Sequence, residues 1–397
     1  MTSQAYLGAG LRSPIGRFGG ALAPLRATEI ASYVGTGLLR RHNVPLNAVQ
    51  RVIGGMVLQD MTESNPARIV AKRMGIPDTV PAFTINMQCC SGMQALILAA
   101  QQIALEDIDC VLVVGLESMS NAPHMLHGAR WGLGHAQAEL IDTLKECTCA
   151  GSKMWDDPWY MIDVAENHAK VDAVSREEMD EYALISHQRA IDAIDQGRLT
   201  DEIQPIEVPH AQGSVLVETD EHPRRGLTPE QLANLRTVQP GGTITAGNAA
   251  GINDGAAAAL VCSEGALDRL GVEPLAKILM PGTSMVGCDP QRMGYSCIEA
   301  LNTSLAAAAL RLDDIDLIEC NEGFAVQLVA CRRLGHWPPE RLNVDGGSIA
   351  LGHPVGMSGL RIVIHLARAL AQRDLSTGAA TIPAGSGLGT ALILSRK

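Results

Sequence analysis

The chain has 397 residues, 46% of them hydrophobic and 19% charged, which suits a globular protein of two or three domains with ample core and excludes an extended disordered chain. A formal net charge of -12 with no basic run excludes a surface for nucleic acid or anionic membrane, so an anionic ligand has to be held by a local basic cluster. Ten cysteines, two of them adjacent, fit reduced thiols better than a disulfide framework; Cys147-Thr-Cys149 has the wrong spacing for a zinc site, and no metal is expected.

The N-terminus, Met1 to Gly10, lacks a charged segment followed by a long apolar one, and no apolar run reaches membrane-spanning length, which predicts a cytoplasmic protein with no membrane partner. Arg51 to Val57 reads as a strand. In Asn86-Met-Gln-Cys89-Cys90-Ser-Gly92, small residues then release the chain into an apolar helix reaching about Ala104. A thiol at a helix start meets unpaired N–H groups and the positive end of the macrodipole, so its thiolate is favoured and Cys89 becomes a candidate nucleophile. An isolated cysteine there would otherwise read as a small buried cap residue. Cys110 to Gly115 reads as a further strand.

Between residues 119 and 245 the texture turns polar, with one clear helix from N-cap Ser175 to Gln196-Gly197. Aromatic residues make up only 3% of the chain, yet Trp155, Trp159 and Tyr160 cluster here, which suggests either a pocket wall or the ordinary packing of a small insert. Ala256 to Cys262 returns to strand. The C-terminal third then repeats the earlier parts. Leu317-Ile-Glu-Cys-Asn-Glu-Gly matches the strand-then-site order near Val57, Gly356-Met-Ser-Gly-Leu echoes Cys90-Ser-Gly-Met-Gln, and Ala379 to Ile382 before a glycine turn matches Cys110 to Gly115. An internal duplication of roughly 120 residues accounts for this and sets Cys89 and the loop before Ser358 at equivalent helix starts. Alternating strands and helices predict an α/β fold with sheets covered on both faces.

Further segments carry polar residues in small-residue frames: Asn321-Glu-Gly-Phe324-Ala, Gly352-His353-Pro-Val-Gly356-Met-Ser358-Gly-Leu-Arg361, Gly385-Ser-Gly-Leu-Gly389, and Gly242 to Gly255 with Ala246 and Ala250. With Cys89 they closely resemble the thiolase family of CoA-dependent acyltransferases, from Gly8 to Ala391. The resemblance implies a thiolase-like fold: two duplicated βαβαβαββ halves in a five-layer αβαβα arrangement with an inserted loop domain. Residues 1–118 plus 246–270 would form the N-terminal half, 119–245 the loop domain and 271–397 the C-terminal half. It also implies an acyl-CoA substrate, no permanently bound cofactor, and a homodimer or homotetramer.

Moving a thioester acyl group onto a thiolate requires a nucleophile, a neutral base and donors for the tetrahedral oxyanion. His353 is the candidate base, just before a helix from Ser358 to Gln372 whose positive end disfavours an imidazolium. By resemblance, Asn321 orients a water or the His353 ring, and the N–H groups of Gly385 and Cys89 form an oxyanion hole. The family places pantetheine along the lid and the Ala246 segment, with Trp159, Tyr160, Met161, Ala250 and Phe324 as wall residues and Arg224 of His222-Pro-Arg-Arg225 near the phosphates.

One position departs. Where the family has a second cysteine that removes a proton from the α-carbon of the second substrate, this chain has Pro383. Losing a positioned base worth about 10² to 10⁴ in rate raises the barrier by roughly 3 to 5 kcal/mol. Cys90, about 100° around the helix from Cys89, faces away. The leading expectation is therefore an acyltransferase that loads Cys89 from acyl-CoA and completes an atypical second half-reaction. The second is a conventional acetyl-CoA C-acetyltransferase or 3-ketoacyl-CoA thiolase with a substitute base, and the third is a non-catalytic scaffold or partner subunit.

Overall fold

The computed structural model describes residues 3–105, 108–135, 137–149, 158–211 and 213–396. Nine strands set the frame: β1 (Ala5–Arg12), β2 (Arg51–Gly55), β3 (Ala82–Ile85), β4 (Cys110–Ser118), β5 (Asn253–Ser263), β6 (Ala276–Gly287), β7 (Leu317–Cys320), β8 (Thr377–Ala384) and β9 (Leu388–Ser395). They run β7-β8-β9-β6-β1-β5-β4-β2-β3, and the short strand Gly16–Arg17 pairs with β5. The seam is β1 against β6, joined antiparallel at Tyr6 with Lys277 and Leu7 with Ala276. Outward from it both sides repeat one pattern, antiparallel pairs and then a parallel one, as an internal duplication requires.

Strand periodicity builds the layers. In β4, Val111 and Val113 face one core while Leu112 and Val114 face another; in β8, Ala380 and Ile382 face the first of these and Ala379 a third. The shared inner core holds α3 (Ser91–Leu105) and α8 (Val355–Gln372), both apolar around most of their circumference because sheet covers them on two sides. The outer cores hold α1 (Ala27–Arg41) and α2 (Pro66–Met74) on one side, and α6 (Ser296–Ala307) and α7 (Ala325–Leu334) on the other. Helices, sheet, helices, sheet and helices are the five layers that the family resemblance implies.

The starts of α3 and α8 touch backbone to backbone. A Cβ on Gly92 would lie 2.7 Å from the Gly356 carbonyl oxygen, and one on Gly359 would lie 2.7 Å from the Met93 nitrogen. Only glycine permits that approach. It brings the turn before each helix, and so Cys89 and His353, to one point.

Between β4 and β5 the chain leaves the sheet for two small hairpins and the helices α4 (Met161–Val171) and α5 (Arg176–Asp195). Ser175 caps α5 as its sequence signature predicts: its hydroxyl accepts from Glu178 N–H, and its own N–H donates to the Glu178 carboxylate. A buried ionic chain fastens this region to the core. Arg12 forks onto Asp220 at 2.7 and 2.9 Å and reaches Glu202 at 2.6 Å; Glu202 in turn meets His365 at 3.0 Å. All ten cysteines are free thiols, and among the described residues no cluster is placed to hold a metal and no helix is long and apolar enough to cross a membrane.

Candidate active site

Cys89 occupies a tight turn between β3 and α3. The N–H groups of Cys90 and Ser91 donate to the carbonyls of Met87 and Gln88, and the Ser91 hydroxyl accepts from Met87 N–H, so Gln88 is driven to a left-handed φ of 49°. This sets the Cys89 sulfur 3.3 Å from Nε2 of His353, 264 residues further along the chain. Cys90, as expected, points away, its thiol donating to the Ile382 carbonyl at 3.3 Å.

Ser358 determines which imidazole nitrogen faces the sulfur. Its hydroxyl donates to the Pro354 carbonyl at 3.0 Å and lies 2.6 Å from His353 Nδ1. With its one proton committed, the hydroxyl accepts from Nδ1–H, which leaves Nε2 as a lone pair toward Cys89. The His353 backbone N–H donates to Asn253 Oδ1 at 2.9 Å, anchoring the turn.

Electrostatics correct one expectation and refine another. Burial pushes the Cys89 thiol up to about 11, although the N–H groups of Gly385 and of Cys89 itself pull the other way. The helix start thus supplies donors to the sulfur but does not hold a resting thiolate, because desolvation of the anion outweighs them. His353 is neutral as expected, lowered to about 4, and burial is the main cause, with the Arg361 guanidinium adding to it, rather than the helix end alone. The resting pair is thiol and imidazole.

Asn321, at the end of β7, is 1% exposed, and its Oδ1 accepts from the Ser348 hydroxyl at 2.7 Å. That commits its oxygen and leaves the NH₂ for the cavity. Behind the site, Glu117 accepts from Val57, Leu58 and Gly356 N–H groups at 3.1, 3.0 and 2.9 Å, yet burial still raises its carboxyl to about 7.

These groups surround a cavity of about 150 Å³, lined by Cys89, His353, Asn321, Gly385 and Pro383, with Met161, Ala250 and Phe324 from the expected acyl wall. The other wall residues stand back from it. Tyr160 caps α4 and hydrogen-bonds Glu146, Trp159 packs with Met161 against Val164 and Met293, Ala246 is exposed, and Trp155 lies outside the described residues. Arg224 does not line the cavity either. Its N–H donates to His187 at 3.2 Å, and its charge, with that of Arg17, acts on His222, whose ring abuts the cavity residue Gly251. Its neighbour Arg225 is paired with Asp195 at 2.6 Å.

Sequence reasoning passes over three contributors. Ser358 orients His353, and a serine five residues after a histidine within a Gly-Pro-Gly turn was the available signal. Gln88, ahead of Cys89, braces the Gly385 loop through its bond to Ser386 at 3.1 Å. Cys147, judged only against zinc spacing, lines the cavity beside Thr148; no local pattern marks it, because the intervening loop alone carries it there.

Family models for the thiolase N-terminal and C-terminal domains match residues 6–265 and 272–396. The chain belongs to the thiolase family. As a thiolase it is an enzyme of the acyltransferase class. It is 42% identical over 392 residues to the acetyl-CoA acetyltransferase of Pseudomonas aeruginosa, covering 98% of each chain, and 41% identical over 389 residues to a probable acetyl-CoA acetyltransferase of Escherichia coli, covering 97% of each. Among solved structures, this thiolase superposes on the Bacillus anthracis acetyl-CoA acetyltransferase with a TM-score of 0.94 at 38% identity, covering 99% of both chains. It matches human mitochondrial 3-ketoacyl-CoA thiolase in complex with CoA equally well, at 0.94 and 37% identity over 100% of this chain and 98% of that one.

Proposed function

We propose that this thiolase exchanges acyl groups between CoA thioesters through an acyl-Cys89 intermediate, as a conventional acetyl-CoA C-acetyltransferase or 3-ketoacyl-CoA thiolase. The observation that carries the reading is the 3.3 Å separation between the Cys89 sulfur and an unprotonated His353 Nε2 beside an apolar cavity. The names of relatives near 40% identity over almost the whole chain support the conventional reaction over the atypical one that Pro383 suggests.

Each group has a task that its position supports. As the sulfur attacks a thioester or ketone carbonyl, His353 takes the thiol proton and returns it to the sulfur or to the departing thiolate. Because both resting groups are neutral, proton transfer accompanies attack and does not precede it. The N–H groups of Gly385 and Cys89, which act on the Cys89 sulfur, suit a carbonyl oxygen that gains charge beside it, and the Asn321 NH₂ suits a second oxygen or a water. Met161, Ala250 and Phe324 suit an acyl or pantetheine chain. Arg224 and Arg17, set back from the cavity, suit the CoA phosphates, which must stay in water.

The same reading includes a cytoplasmic location, an assembly of two or four copies, and the division into 1–118 plus 246–270, 119–245 and 271–397. Exposed Trp131 (92%) and Leu140 (64%) near the hairpin of His124–Leu126 with Leu140–Asp142 support the assembly. The end of β4 at Ser118, and the return of the chain in β5 to pair with β4, support the division.

Incubating the protein with acetyl-CoA tests the first step: an acetyl adduct mapped to Cys89, free CoA released, and neither in Cys89→Ser. Acetoacetyl-CoA with CoA tests the whole reaction by loss of the ketoacyl thioester. Absence of both adduct and cleavage rejects the assignment.

A further inference from the structure

Conventional chemistry at this site needs a proton carrier beside the α-carbon, and Pro383 is not one. Of the described residues lining the cavity, Cys89, His353 and Cys147 carry a titratable proton, and the first two are committed to each other. Cys147 closes the short helix Thr143–Glu146. Its thiol donates to the Leu144 carbonyl at 3.1 Å, and the next residue, Thr148, accepts from Met161 N–H at 2.7 Å, so the loop is tied to the start of α4. Cys147 thus lies on a fastened segment in the wall of the cavity that contains Cys89.

We propose that Cys147, delivered by the loop region and not by the glycine turn after β8, is the acid and base that serves the α-carbon in this thiolase. The inference rests on the acyl-transfer reading above. Burial and the charges of Glu117 and Cys89 push the Cys147 thiol up to about 12, so it rests protonated and enters the cleavage direction as an acid.

The protons balance. His353 takes the Cys89 proton as the sulfur attacks the ketone carbon of a 3-ketoacyl-CoA and the C=O pair moves onto oxygen. Collapse breaks the bond between the ketone carbon and the α-carbon. The electron pair stays on the α-carbon, which takes the proton of the Cys147 thiol, and acetyl-CoA departs. The Cys147 thiolate then takes the thiol proton of incoming CoA. That CoA sulfur attacks the acyl carbon, Cys89 leaves as thiolate, and His353 returns its proton. Condensation is the reverse.

The test uses the full chain with acetyl-CoA in D₂O, and compares the rate of deuterium entry at the acetyl methyl with the rate of Cys89 acetylation. In Cys147→Ala the ratio of exchange to acetylation should fall about 10² to 10⁴-fold, the usual worth of a positioned general base. Cys147→Ser, the closest in size, carries the measurement if the alanine variant does not fold, and should show the same fall because a hydroxyl is far less acidic. A wild-type ratio in either folded variant overturns the proposal. So does a wild-type protein that acetylates Cys89 but never exchanges, which leaves acyl transfer standing; a wild type that does not acetylate Cys89 removes the acyl-transfer reading itself.

Discussion

Gln88 and Ser386, 298 positions apart, are joined by a 3.1 Å bond from the Gln88 side-chain amide to the Ser386 hydroxyl, and both hold left-handed backbones, with φ of 49° and 63°. One precedes the nucleophile and the other follows Gly385, whose N–H meets the Cys89 sulfur. Each strained residue thus braces the other across the joint between the duplicated halves. A Cβ on Gly385 would lie 2.1 Å from Gln88 Oε1.

Gly385→Ala therefore separates fold from function. The Gln88 side chain can swing aside, so thermal stability should change little, while the displaced loop misaims the N–H donor. Acylation of Cys89, read as CoA release, should fall by at least about tenfold, against about 10² to 10³ for outright loss of such a donor. Unchanged acylation would show that the Gly385 N–H does not act on the reacting oxygen.

His353 sets the acid limit of the reaction. Lowered to about 4, it remains an acceptor well below the usual histidine range, so the acylation rate should show no inflection near pH 6.5. Ser358→Ala frees the ring tautomer and should slow acylation by about 10 to 10² fold, less than the roughly 10⁴ known for loss of an orienting carboxylate. An acid limb centred near 6.5 would sink the buried, neutral assignment.

His365 predicts a decline of stability on the alkaline side. Burial alone would lower it, but Glu202 at 3.0 Å and Asp345 at 3.4 Å raise it to about 10. A raised folded value means that its contribution is complete below about pH 6.5 and is lost as pH climbs through 10. Denaturant midpoints should fall over that window in the wild type and flatten in His365→Gln. The variant, leaving buried carboxylates short of a partner, should also lose about 3 to 5 kcal/mol at neutral pH.

Gly92→Ala tests the contact that joins the two helix starts. Its new methyl meets backbone at 2.7 and 2.9 Å, and backbone cannot rotate away. A loss of about 1 to 3 kcal/mol is expected despite the better helix propensity of alanine. A raised melting temperature would mean that α3 and α8 can separate without cost.

Arg224→Ala should raise KM for CoA thioesters several-fold, with a smaller effect in high salt and little change in kcat, since the guanidinium stands outside the cavity. If kcat falls in proportion, the arginine acts within the reaction and does not serve at its mouth.

Cys89 was legible from the chain as a thiol at a helix start, whereas His353, Asn321 and Gly385 were legible only through the motifs that resemble the thiolase family. The strands were legible as short apolar runs, continuous and not alternating, because β4 and β8 are buried on both faces. Local sequence thus determined the alternating architecture, its duplication, and the thiol and imidazole that the chemistry needs. Tertiary structure decided what depends on distance and burial. The helix start before α3 argues for a thiolate, but only the packed state shows that desolvation outweighs its donors and keeps Cys89 protonated. Which residues wall the cavity was decided there too, because Arg224, Ala246 and Tyr160 stand back while Cys147, in a loop with no periodic pattern, lines the cavity that holds the nucleophile. A side chain's chemistry is written in its identity, whereas its proton affinity and its neighbours belong to the whole folded molecule.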